Sequence, residues 1–130
     1  MTDSERLAFI RGDLCVAAGG DILDDVGRQG QVMHHQLRPL VPGMHNCGFV
    51  GRARTAQWVE SPYIDEADPY GLEIDLMDSL QQDDVVVHST DHGRSNAPWG
   101  ELLTTVAQRN GCVGTVCDSQ VRDCVRIIEI

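Results

Sequence analysis

Two short stretches near the carboxyl end of the chain combine residue types suited to chemistry on a small anion. The first is Trp99-Gly100-Glu101-Leu102-Leu103, placed where a helix begins. The first amides of a helix have no partner inside it, and the helix dipole adds partial positive charge, so a small carboxylate can dock there. Gly100 leaves room for close approach. The second is Arg122-Asp123. Arginine offers a planar, permanently charged fork for a carboxylate or enolate oxygen. Asp123 can ligate a hard cation, with Glu101 as a second carboxylate nearby. An anion seat, an arginine and a metal carboxylate are the parts needed to hold a 2-oxo acid and stabilise its enolate. The same residues also have a purely structural reading. An Arg-Asp pair after a strand can be a turn with a local ion pair, and a Glu in a first helical turn complements the dipole.

The elements around these stretches decide whether they meet. Val85-Val86-Val87-His88 is a continuous apolar run suited to a buried strand. Pro98–Arg109 reads as a helix with Pro98 in its first turn and Leu102, Leu103, Val106 and Ala107 on one face. Asn110-Gly111 ends it, and Cys112–Cys117 is a second buried strand. Residues 85–117 therefore form a βαβ unit between parallel strands. The helix start and the segment Asp118–Asp123 both follow carboxyl ends of strands, so they share the sheet edge where α/β proteins bind ligands.

Upstream, Leu72, Ile74, Leu76, Met77 and Leu80 make a helix, and Cys47–Val59 alternates well enough for a strand. Residues 1–30 read as two short helices, one capped by Ser4 and one by Asp13, with Gly27 or Gly30 stopping the second. Residues 31–46 and Ser61–Pro69 are loops. There is no repeat and no linker, so one domain over residues 1–130 is expected.

Composition narrows the chemistry. The 130 residues carry twenty acids and ten bases, a net charge of −10, and every base is arginine. Without lysine there is no Schiff-base aldolase, no covalent pyridoxal phosphate site and no P-loop lysine. Such acidity argues against nucleic acid as a partner, since counterion release needs a cationic face. No apolar run approaches the roughly 18 to 20 residues of a membrane span, and the N-terminus lacks a signal-peptide layout. A cytoplasmic domain with no membrane partner is expected.

Asn96-Ala97-Pro98-Trp99-Gly100-Glu101-Leu102-Leu103, then Val113-Gly114-Thr115-Val116-Cys117-Asp118 and Val121-Arg122-Asp123, resemble the RraA-like proteins. That family includes 4-hydroxy-4-methyl-2-oxoglutarate aldolases, which also decarboxylate oxaloacetate. The aldolases' pattern is an acid, a twenty-residue gap, then Arg-Asp, and Glu101, residues 102–121 and Arg122-Asp123 fit it. Asp25-Val26-Gly27-Arg28, Arg38-Pro39-Leu40, Pro42-Gly43 and Gly48–Thr55 extend the resemblance over nearly the whole chain. It implies an α/β fold of the layered, swivelling β/β/α type, assembled as a homotrimer or a dimer of trimers. It also implies a metal-dependent lyase whose partner is a small 2-oxo acid. The backbone of Gly100, Glu101, Leu102 and Leu103 would seat the substrate carboxylate, and Arg122 would bind its oxo-acid oxygens. Asp123 would hold Mg²⁺ or Mn²⁺, with Glu101 supporting the metal's water shell. Cleavage or loss of CO₂ would leave a metal-stabilised pyruvate enolate. The absence of lysine agrees with metal rather than imine chemistry.

A second function class is the non-catalytic relative that inhibits ribonuclease E by protein contact. That type lacks the acid matching Glu101 and carries acids just after Arg-Asp, where Val125 and Arg126 follow here. Two departures from the aldolase pattern stand out. Ser119 replaces a usual glycine in the turn before Arg122, where a side chain can shift the turn. Val125–Ile130 is an apolar run at a terminus, and relatives continue with more strands, so a C-terminally truncated or inactive chain with an exposed edge is expected.

The remaining reactive residues read as ordinary. His88 and His92 flank Asp91, while His34-His35, His45 and Cys47 lie in the earlier loop. They read as polar loop histidines rather than a zinc site. The five cysteines read as reduced, mostly buried thiols, with none marked as an activated nucleophile. Ala17-Ala18-Gly19-Gly20-Asp21 lacks the spacing of a nucleotide loop, and Trp58 and Trp99 read as packing or interface residues.

Overall fold

The computed structural model describes residues 1–43, 48–91, 93 and 95–130. His45, Cys47 and His92, which entered the sequence reading, lie outside the described residues. The chain divides into two compact units, Met1–Val50 and Gly51–Ile130.

The first unit holds helices α1 (Asp3–Asp13) and α2 (Val16–Asp25). Thr2, not Ser4, caps α1: its hydroxyl accepts from Glu5 N while the Glu5 carboxylate accepts from Thr2 N. This reciprocal capping box needs a hydroxyl three residues before a glutamate, and only Thr2 supplies that spacing. Asp13 does not cap α2 either, because α1 runs through it; Cys15 occupies the cap with no side-chain hydrogen bond. Gly27, at φ 77°, follows the end of α2 as its sequence position implies. Neither helix has a buried residue, and Phe9, Val16 and Ile22 are exposed.

The second unit is a three-stranded parallel sheet with helices. Its elements are β1 (Arg52–Gln57), α3 (Gly71–Asp78), β2 (Asp84–Ser89), α4 (Glu101–Arg109), β3 (Gly114–Cys117) and α5 (Cys124–Glu129). The strand order is β1-β2-β3, with Arg52 opposite Asp84 and His88 opposite Cys117. The expected βαβ unit over 85–117 is present, and β1-α3-β2 forms a second strand-helix-strand of the same parallel kind. Asp84, buried at the start of β2, lies 3.6 Å from both Arg52 and Arg54 and accepts from Gln81 N. That charge ties β1 into register.

The core comprises Met77, Leu80, Val86, Trp99 and Ala107, with Leu103, Val106, Val121 and Ile127 packed against it. Val86 sits on the central strand, fully out of water, as expected for a parallel sheet covered by helices. Three details differ from the sequence pattern. Helix α4 begins at Glu101 rather than Pro98, because Trp99 is extended and bridges in parallel to Val121. Leu102 is exposed, since the stripe that α4 buries is set by Leu103, Val106 and Ala107. Val125–Glu129 is helical, and Ile127 within it packs against the core rather than lying in a solvated terminus.

Candidate functional site

The bridge between Trp99 and Val121 joins the two chemical stretches. Arg122 N donates to the Trp99 carbonyl at 3.1 Å. Gly100 follows in extended conformation and caps α4; its carbonyl accepts from both Thr104 N and Thr104 Oγ1. The N-cap is a glycine with no side chain to offer, so it gives the amides of the first turn no side-chain acceptor. Arg122 and Asp123 lie directly over Gly100. A Cβ built there would stand 3.0 Å from Arg122 Cγ and 3.1 Å from both Arg122 Nε and Asp123 Oδ2. Arg122 Nε is 4.0 Å from Asp123 Oδ2, and both side chains face solvent. Asp123 has φ 59°, in the left-handed region, where its short polar side chain is tolerated.

The structure therefore brings Gly100, Arg122 and Asp123 together at one place. Glu101 is at the same helix start, but its Oε1 is 3.3 Å from Arg126 Nε, and Arg126 also holds Glu129 at 2.7 Å. Sequence spacing did not show this competitor for the Glu101 carboxylate. Among the described residues no group of three His, Cys, Asp or Glu side chains gathers as a metal cage. The donor set present is oxygen only: Asp123 beside the space that a Gly100 side chain would fill, with Glu101 one residue on. That fits a hard cation keeping most of its waters and taking one or two carboxylates, as Mg²⁺ does.

Glu73 is a further residue of this end. It sits on α3 in register with Leu76, Met77 and Leu80, the stripe that meets the core, and is partly buried. Burial pushes its carboxyl pKa up, and the Arg122 charge pulls it back. The 73/76/77/80 spacing was legible as a helix face, but the outward Leu72 and Ile74 masked it.

Beside the Arg122 segment, the carboxyl ends of the strands form a small, solvent-open cleft of about 60 Å³. Trp58, Val59, Glu60, Thr90, Gly93, Ser95, Asn96, Pro98 and Ser119 line it. Thr90 N and Oγ1 both donate to Asp118 Oδ1, at 2.8 and 2.7 Å, which pins the end of β2 to the end of β3. The Ser119 hydroxyl reaches the carbonyls of Gly93 (2.5 Å) and Asn96 (3.1 Å), tying the two loops together.

His88 is not a loop histidine. It lies on β2, 2% exposed, and its Nδ1 accepts from Trp58 Nε1 at 2.8 Å. Its neutral ring therefore carries the proton on Nε2, which is buried with no hydrogen-bond partner among the described residues, as is Trp99 Nε1. Burial lowers its pKa to about 4, against a smaller opposing pull from Asp118. The two tryptophans are packing residues, as read, and both pack on this ring. The four described cysteines are free thiols but less hidden than their valine neighbours imply: Cys15 is exposed, and Cys112, Cys117 and Cys124 are half-buried. Burial pushes Cys112 and Cys117 up in pKa, the opposite of an activated nucleophile.

Comparison with known proteins bears on this arrangement. A family model described as RraA-like (Aldolase/RraA) matches residues 13–130. Protein DlpA of Legionella pneumophila subsp. pneumophila (strain Philadelphia 1) is 30% identical over 103 residues, which is 79% of this chain and 16% of DlpA. The solved structure of an uncharacterized protein from Pseudomonas syringae pv. tomato str. DC3000 superposes with a TM-score of 0.73 at 28% identity, covering 98% of this chain and 53% of that one. A structure described as novel cellulases from microbes associated with the gut ecosystem gives a TM-score of 0.85 at 21% identity, over 99% of this chain and 55% of the other, a likeness of fold alone. The chain thus spans about half the length of these two solved chains and a sixth of DlpA. No described helix is long and apolar enough to cross a membrane.

Proposed function

The chain belongs to the RraA-like family, which holds both aldolase/decarboxylase enzymes and ribonuclease E inhibitors, and from that premise we propose that it is a divalent-metal-dependent lyase acting on small 2-oxo acids. The reactions are retro-aldol cleavage of 4-hydroxy-4-methyl-2-oxoglutarate to pyruvate and decarboxylation of oxaloacetate. One observation carries this reading: Arg122 and Asp123 pack over a glycine at the uncapped start of α4. A permanent cation, a carboxylate and helix-start amides that the glycine cap leaves without its own acceptor then surround one small space.

The chain's own residues supply binding and orientation. The first amides of α4 take the substrate carboxylate, and the missing side chain at Gly100 lets it approach the backbone. The Arg122 fork holds oxygens of the oxo acid and opposes the negative charge that grows on them as the C–C bond breaks. Asp123 would hold Mg²⁺ or Mn²⁺, with Glu101 supporting its waters once released from Arg126. When bound, such a cation supplies Lewis-acid polarisation of the 2-oxo group. In this reading the full protein adopts the swivelling β/β/α layering, assembles as a homotrimer or dimer of trimers, and works in the cytoplasm on a soluble substrate. The Glu101–Arg126 pair favours one other reading, a protein-binding regulator, because it occupies the acid that the lyase would use.

The test is release of pyruvate from oxaloacetate by the purified chain. Turnover should require Mg²⁺ or Mn²⁺, stop with EDTA, and be abolished in Asp123→Asn. Asparagine is preferred to alanine because it tolerates the left-handed backbone at this position. Metal-independent turnover, or none from a folded trimer, defeats the lyase reading.

A further inference from the structure

Three rings lie in series behind the carboxyl edge of the sheet. Trp58 follows β1, His88 is on β2, and Trp99 precedes α4. Trp58 Nε1 donates to His88 Nδ1 at 2.8 Å; the Trp58–His88 and His88–Trp99 ring centroids are 5.8 and 5.0 Å apart. These are the chain's two tryptophans, both set against one imidazole. Each end of the series belongs to something useful. Trp58 is a wall of the cleft. Trp99 carries the carbonyl that receives Arg122 N–H, and Gly100 follows it directly.

A histidine at this position needs a reason. Val85, Val86 and Val87 fill the same strand with aliphatic side chains, and an imidazole buried beside them forfeits its hydration. It does so while its own Nε2–H and the Trp99 Nε1–H are buried with no hydrogen-bond partner among the described residues, an arrangement that native folds seldom retain without use. What the imidazole adds is one acceptor, Nδ1, aimed at Trp58. Only the neutral ring can accept there, and burial keeps it neutral.

We propose that His88 is a positioning residue: through its bond to Trp58 and its packing on Trp99, it fixes the wall of the cleft and the segment that presents Gly100 and Arg122. The kinetic arm of the test rests on the lyase reading, and the spectroscopic arm does not. Three variants of the full chain separate the contributions. His88→Asn keeps an acceptor in place of Nδ1, His88→Phe keeps a ring without one, and Trp58→Phe removes the donor. Acrylamide quenching of tryptophan emission reports how firmly the rings are held, with a thermal melt as the check on folding.

His88→Phe should raise the quenching constant about twofold and the KM for oxaloacetate about tenfold, with kcat within about threefold of the parent, as expected when binding geometry rather than chemistry is lost. His88→Asn should stay within about twofold of the parent in both, and Trp58→Phe should reproduce the rise in KM. Parent-like quenching and KM in His88→Phe overturn the proposal. So does His88→Asn as impaired as His88→Phe, or a fall in kcat at unchanged KM, which would make the imidazole a reactant. If the parent releases no pyruvate, the lyase reading fails and the quenching comparison alone decides the role of His88. If His88→Phe does not fold, a parent-like KM in Trp58→Phe overturns it.

Discussion

Replacing Gly100 with alanine separates the stability of the fold from the competence of the site. The added methyl would stand 3.0 Å from Arg122 Cγ and 3.1 Å from Arg122 Nε and Asp123 Oδ2. Ordinary carbon contacts begin near 3.5 Å, so the neighbours must retreat by about half an ångström. The backbone itself raises no objection, because Gly100 is extended at φ −164°, ψ −170°. The atoms that must move belong to side chains that are 70% and 48% exposed, and they can swing outward at little cost. Alanine also restricts the unfolded chain, a gain of about 0.4–1 kcal/mol. The melting free energy should therefore stay within about 1 kcal/mol of the parent. Activity should not. A displaced guanidinium and a methyl in the anion seat should lower kcat/KM for Mg²⁺-dependent pyruvate release by about 10- to 100-fold, or roughly 1.4–2.7 kcal/mol of transition-state binding. Thermal melts and a coupled pyruvate assay on the same preparation give both numbers. Full activity in Gly100→Ala would show that this space is not where substrate binds. A large drop in melting temperature would show that Arg122 and Asp123 cannot give way, which refutes the argument from exposure.

Two further outcomes follow from the electrostatics. Arg126→Gln frees Glu101 from its pair and removes a positive charge near Asp123, so Mn²⁺ affinity measured by calorimetry should rise about threefold; stability should change by less than about 0.5 kcal/mol, because the pair is exposed. His88 titrates near 4 in the fold against 6.5 in the unfolded chain, so between those values the unfolded chain binds more protons. Stability should therefore fall as pH drops from 6.5 towards 4 and level off below, by about 3 kcal/mol from this group. Urea midpoints across that range measure the loss, and His88→Asn should remove this component of it.

The parallel sheet was legible because its central strand is buried on both faces. Three consecutive valines followed by a loop and a helical stripe have few other solutions. The geometry of Gly100, Arg122 and Asp123 was legible for the same reason: parallel topology brings both loops to one edge. What stayed hidden depended on contacts that no local pattern encodes. The start of α4 was misplaced by three residues because Trp99 has a distant extended partner, Val121, which overrides the helix-starting preference of Pro98. Arg126 reaches back 25 positions to Glu101, and nothing in the spacing of acids and bases announces that pairing. His88 looked like a polar residue at a strand end, yet Trp58, thirty positions away, is what makes it a buried acceptor. Ser119 looked like an intruder at a glycine position and proved to be a hydrogen-bonding tie.

The anchoring of α5 has a consequence for the site it follows. A six-residue helix does not persist in water by itself. It holds here because Ile127 reaches the core and Arg126 grips α4. Asp123 belongs to that helix as its cap, its carbonyl accepting from Ile127 N at 3.0 Å. Arg122 and Asp123 are thus a two-residue span slung between the Val121 bridge and helix α5. Opening of α5 would break the Ile127 N–H bond to the Asp123 carbonyl and let the span go slack. Amide hydrogen exchange over 124–130 and the fraction of molecules with a formed site therefore report one local opening equilibrium, with Arg126, a salt-sensitive surface charge, setting part of its balance.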